Sequence, residues 1–80
     1  MKNKYVKLTC VGFFLFDEAV PHKHIEYIAK QGGYRVLSAG FWDIGDDGKA
    51  VCFGESIGLQ VKSQPEDTSE LRAFLGQQTL

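Results

Sequence analysis

Two histidines, His22 and His24, follow Pro21 in the run "PHKHI", and a serine, Ser56, sits between two glycines in "GESIG". An imidazole changes charge near neutral pH and can act as nucleophile or general base. Successive main-chain N–H groups in a glycine-flanked bend such as the one around Ser56 can form a concave nest for an anion. Lys4, at the head of the first apolar run, can bury its stem at the rim of a core and hold its ammonium over a shallow site. A neutral imidazole, a mobile cation and an anion nest are the parts that phosphoryl transfer uses, because positioning and charge stabilisation carry most of that chemistry.

Each of these residues also has a plainer reading. Either histidine can be a surface or edge-of-core residue, Lys4 a solvated cation, and the bend from Gly54 to Gly58 a bulge that re-aims a strand. The spacing i,i+2 makes the two histidines a poor chelating pair, since ligands on one helix face stand three or four apart, and no metal site is expected. On a helical wheel His22 lies about 60° from Ile25 and His24 about 100° to its other side, so the two do not aim at one spot. At a helix N-terminus the dipole disfavours imidazolium, which keeps such a ring neutral near pH 7. Glu55 has no second acid with which to form a carboxylate dyad. Asp43, Asp46 and Asp47 crowd a turn without the oxygen-ligand spacing of a calcium loop.

The elements that must position these groups follow from hydrophobic period and punctuation. From Lys4 to Phe16, Val6, Leu8, Cys10, Phe14 and Phe16 alternate with Tyr5, Lys7 and Thr9, the two-residue period of one half-buried strand. "DEAVPHKHIEYIAKQGG" predicts a helix with acids and Pro21 at its start, Gly32 at its end, and Pro21, Ile25, Ile28 and Ala29 on its packed face. "YRVLSAGFWDI" and "KAVCFGESIGLQVKS" read as two strands of an antiparallel hairpin joined by "GDDG". The last segment predicts a helix, with Ser63 and Glu66 at capping-box spacing or Asp67 as a later cap, then Leu71, Phe74 and Leu75 on one face and Gly76 as the stop. The order β-α-β-β-α predicts an α+β fold, a small open mixed sheet with helices packed over it, right-handed in its crossover if the first two strands are parallel neighbours.

Eighty residues fit one domain, 1–80, with room for little core beyond it. Nine Lys plus Arg against ten Asp plus Glu argue against a general nucleic-acid or membrane-surface binder, which needs a basic excess. The basic start lacks the apolar run and cleavage site of a signal peptide, and no segment has the length of a membrane span. Cys10 and Cys52 are expected as small hydrophobes inside strands, which points to a reducing cytoplasm.

Taken in order, Lys4-Tyr5-Val6, His22 with Ile25, Gly40 in "SAGFWDI", and Gly54-Glu55-Ser56 give a chain that resembles the Janus and phosphohistidine phosphatase family. The likeness runs from about Lys4 to Leu75 with shortened loops. It implies hydrolysis of the N–P bond of phosphohistidine or a similar phosphoramidate, with a phosphorylated protein or a small phosphoramidate as partner and no metal or organic cofactor. It further implies His22 as nucleophile or base, Lys4 as the phosphate-side cation, and Ser56, Ile57 and Gly58 as phosphate donors, mostly through backbone N–H groups. The chain departs from that family at Phe41, where an arginine is common, and at Glu55 and Leu59, where aromatics are usual. A second reading, of another class, is a non-catalytic module that holds a phosphorylated or acidic partner or pairs an exposed strand edge to form an oligomer.

Overall fold

A computed structural model of the chain describes residues 3–77. Its elements are β1 (Asn3–Leu8), β2 (Gly12–Asp17), α1 (His22–Gln31), β3 (Val36–Ile44), β4 (Ala50–Phe53), β5 (Glu55–Ser56), β6 (Val61–Lys62) and α2 (Asp67–Phe74). The first four strands form a sheet in the order β2-β1-β3-β4, and β5 and β6 form a separate two-stranded ribbon. The fold is α+β, as the sequence predicts. All strand pairs are antiparallel, so the sheet is not the mixed one expected and the conditional parallel crossover does not form.

The strand expected from Lys4 to Phe16 is a hairpin, with Cys10 (φ 70°) and Gly12 (φ 86°) turning the chain. The turn is invisible to a two-residue period for a geometric reason. The register pairs Lys4 with Phe16, Val6 with Phe14 and Leu8 with Gly12, so even residues meet even residues and the alternation runs through unbroken. Cys10 is therefore an exposed turn residue rather than a strand hydrophobe. The added reversal is also what brings β3 to β1 antiparallel.

The long strand expected from Lys49 to Ser63 breaks at Gly54, whose φ of 76° takes the chain out of β4 and into the β5–β6 ribbon. A second glycine permits this exit: a Cβ on Gly40 would lie 2.5 Å from the carbonyl oxygen of Phe53. The β3–β4 hairpin forms as predicted, with Gly48 (φ 79°) supplying the left-handed residue of "GDDG" and the Gly45 N–H donating to the Lys49 carbonyl at 2.8 Å.

Both faces of the sheet are covered. On one, Val6, Leu8 and Ala39 pack against Ile25 and Ala29 of α1, with Leu59 and Val61 of the ribbon alongside. On the other, Tyr5, Phe13 and Ala50 pack with Leu71 of α2. Ile28, expected on the packed face of α1, stands half exposed, and the buried positions are His22, Ile25 and Ala29. No carboxylate occupies the first turn of α1; Asp17 instead closes β2 and accepts from the Ala19 N–H at 2.8 Å. Gly32 ends the helix as expected, with Gly33 as the left-handed residue after it.

The second helix is fastened by a carboxylate rather than by the predicted capping box. Asp67, fully buried, accepts at Oδ2 from the Tyr5 hydroxyl at 2.6 Å and from the Gln64 N–H at 3.0 Å, while Oδ1 meets Lys7 Nζ at 2.8 Å. Ser63 faces the Tyr5 hydroxyl at 2.8 Å, and the Glu66 side chain makes no cap bond. Burial alone would push the Asp67 carboxyl up, but donation from Gln64, Lys7 and Tyr5 holds it below the ordinary carboxylate value. Of the residues expected on the packed face of α2, only Leu71 is buried; Phe74 and Leu75 are exposed. Gly76 (φ 78°) stops the helix as predicted.

Two outcomes test this frame. Asp67→Ala should lower unfolding free energy by about 2–4 kcal/mol, because it strands the buried Tyr5 hydroxyl and leaves the partly buried Lys7 ammonium with Glu70 alone, whereas Tyr5→Phe should cost about 1.5–3 kcal/mol; urea melts of the two variants read both. Gly40→Ala should lose about 1–3 kcal/mol through overpacking against Phe53, and a melting point equal to the parent's would show that β4 does not cross so closely.

Candidate functional site

Lys4, His22, Ser56, Ile57 and Gly58, each singled out from the sequence, line one surface cleft of about 430 Å³ together with Pro21, Lys23, Phe41 and Glu55. Four separate parts of the chain build it: the start of β1, the first turn of α1, Phe41 of β3, and the β5–β6 ribbon with its turn. His24 is exposed and does not belong to the lining, so the choice between the two imidazoles falls on His22. Pro21 sets this choice. It is the N-cap of α1 at φ −66°, so His22 is the first helical residue and turns inward with Ile25 and Ala29.

His22 is 7% exposed, and its Nε2 lies 3.0 Å from the carbonyl oxygen of Gly40. A carbonyl only accepts, so Nε2 carries the proton in the neutral ring and Nδ1 carries the lone pair. Burial holds the imidazole below its ordinary pKa; the Gly40 carbonyl opposes this, the Lys4 ammonium adds to it, and the Tyr5 carbonyl opposes it in turn. The ring is wedged edge-on between Phe16 at 5.3 Å and Phe41 at 5.9 Å, measured between ring centres. Phe14 stacks beyond Phe16 and Phe53 beyond Phe41, which extends the row of rings from β2 to β4.

Lys4 Nζ donates to the Val20 carbonyl at 3.0 Å, which steadies the ammonium at the rim of the cleft. Ser56 is buried and pairs with Val61 in the ribbon, whereas Ile57 is 82% exposed at the turn. Gly58 has open space where a Cβ would stand, and the left-handed residue of this turn is Gln60 (φ 57°) rather than a glycine. The bend expected over Gly54 to Gly58 is thus a kink at Gly54 followed by a tight hairpin turn closed by the Gln60 N–H on the Ile57 carbonyl at 3.2 Å.

Sequence reasoning missed Lys23, whose place beside His22 in the first helical turn is the signal that could have found it. With Lys4 it gives the cleft two ammonium groups against the one carboxylate of Glu55. Phe41 supplies an aromatic wall. A larger depression of about 570 Å³ lies elsewhere, lined by Cys52, Lys62, Ser63 and Thr68 among others. Burial pushes the Cys52 thiol up to about 11, so at neutral pH it is a protonated hydrophobe and no nucleophile. Among the described residues no group of three or more His, Cys, Asp or Glu is arranged to hold a metal ion, and no helix is long and apolar enough to cross a membrane.

Because His22 binds its proton less readily when folded than at its unfolded value of 6.5, its contribution to stability is complete above that pH and is lost as pH falls through the lower folded value. The expected result is a His22 imidazole that titrates below 6.5 by proton NMR, and a matching acid loss of stability that His22→Gln removes. Compared with protein-family models, with curated proteins and with solved structures, the chain matches none.

Proposed function

We propose that this chain is a metal-independent phosphatase of the cytoplasm that hydrolyses the N–P bond of phosphohistidine or a similar phosphoramidate in the cleft around His22. The observation that supports this reading is the convergence of Lys4, His22, Ser56, Ile57 and Gly58 on one concavity. The Gly40 carbonyl fixes the Nε2 proton and leaves Nδ1 as the basic nitrogen. Water attacks phosphorus while Nδ1 takes its proton. The new P–O bond forms as the P–N bond breaks, and the leaving nitrogen receives the proton back, giving amine and inorganic phosphate. Lys4 and Lys23 neutralise the phosphoryl oxygens, and the turn from Ser56 to Gly58 bounds the site they occupy.

Glu55 favours a second reading. Glu55 lines the same cleft, where a carboxylate opposes a dianion by ~2 kcal/mol at 4 Å even in water. A module that holds a phosphorylated partner without turning it over tolerates that opposition better than an enzyme does.

Phosphate release from phosphoramidate separates the two readings. His22→Gln retains an amide donor for the Gly40 carbonyl and removes the basic nitrogen, so it should lower kcat by at least about 100-fold with the fold intact. Unchanged turnover in that variant sinks the catalytic reading. A parent protein without turnover, whose Ser56, Ile57, Gly58 and His22 resonances shift on phosphate titration, is the binding module instead.

A further inference from the structure

The two edges of the four-stranded sheet are finished differently. At β4, side chains from α2 and the residues after it seal the edge. The Ala50 N–H donates to Gln77 Oε1 at 2.9 Å, the Ala50 carbonyl accepts from Arg72 Nε at 2.8 Å, and the Cys52 N–H donates to Thr68 Oγ1 at 3.0 Å. At β2, no such bond reaches the outer main-chain groups of residues 12–16 among the described residues. In an antiparallel ladder every second residue points both of its backbone groups away from its partner, so this edge presents unpaired donors and acceptors in regular alternation.

The usual protections of an open edge are also missing. "GFFLFD" contains no lysine and no proline, and its register with β1 runs from Gly12 to Asp17 without a bulge. Beside it lies an almost wholly apolar groove of about 360 Å³ between β2 and α1. Val11, Phe14 and Ile28 line this groove, each about half exposed.

We propose that β2 is a dimerisation edge, at which two copies of this chain pair their β2 strands antiparallel about a two-fold axis and close their apolar grooves against each other. An axis perpendicular to the sheet keeps both α1 helices on the same side, so groove meets groove and Phe14 of each copy lies at the joint. Charge fits a second copy. Asp17 is the one charged residue of β2 and stands at its end, so a pairing centred on Phe14 or Leu15 sets it opposite an apolar residue of the other copy and never opposite its own counterpart. The result is a continuous sheet whose two outer edges are the sealed β4 strands. This proposal is independent of the phosphatase reading.

Sedimentation of the purified chain across the micromolar to millimolar range tests it. The parent should show a monomer–dimer equilibrium, and Phe14→Lys should weaken it by at least about 30-fold, because each dimer loses two central aromatic anchors and gains two cations. Ile44→Lys, a substitution of similar exposure next to the β4 edge, should leave the equilibrium unchanged. Hydrogen exchange should show alternate β2 amides protected in the dimer and open in Phe14→Lys. If Phe14→Lys does not fold, Ile28→Lys, half exposed on α1 in the same groove, serves in its place. A parent that stays monomeric throughout, a folded Phe14→Lys that still dimerises, or an Ile44→Lys that dissociates equally overturns the proposal. So do β2 amides that are equally protected at concentrations where the parent is monomeric.

Discussion

A single buried carboxylate decides how this chain closes. Asp67 sits at the first turn of α2 and reaches across to β1, one of the two central strands, where Tyr5 and Lys7 meet it. A charge this deep is tolerated only when its hydrogen bonds are filled. The bonds to the Tyr5 hydroxyl, the Lys7 ammonium and the Gln64 amide do this, and Lys7 is held in turn by Glu70 at 2.8 Å. The helix dipole adds a favourable field at the same place. The covering of the second sheet face by α2, and with it the burial of Phe13 and Leu71, follows from this junction.

The opposite face of the sheet borders the cleft. Because β1 is buried on both sides, its residues divide between the two tasks: Tyr5 and Lys7 serve the junction, and Lys4 faces the cleft. The ribbon links the two layers. Ser63 at its end touches the Tyr5 hydroxyl, while Leu59 and Val61 pack with the α1 core and Ser56 to Gly58 bound the cleft. A disturbance of the buried carboxylate is thereby connected, through Tyr5 and Ser63, to the segment that shapes the site.

Much of this was legible in the sequence, and the parts that were not have definite causes. The helices, the "GDDG" hairpin and the α+β class follow from period and punctuation. The β1–β2 turn was hidden because an even-to-even register preserves alternation, and because its first left-handed residue is Cys10, not a glycine. The breadth of the core was missed because Tyr5 and Lys7 look like a solvent face until Asp67, more than sixty positions later, supplies their partner. Five lining residues of the cleft could be named in advance because each has its own chemistry. Lys23 was passed over, since a lysine on a helix is ordinarily solvated and its place beside His22 gains meaning only once Pro21 and Phe41 are seen to border the same cleft.

The imidazole of His22 is one member of a chain of rings that spans the sheet, from Phe14 and Phe16 through His22 to Phe41 and Phe53. Close-packed interiors have low compressibility and pass strain along. Phe16 of β2 and Phe41 of β3 touch the imidazole directly, so a change in the twist of either strand reaches the histidine as a push from one flank or the other. The location of that nitrogen is thereby tied to the curvature of the β-layer as well as to the helix that bears it.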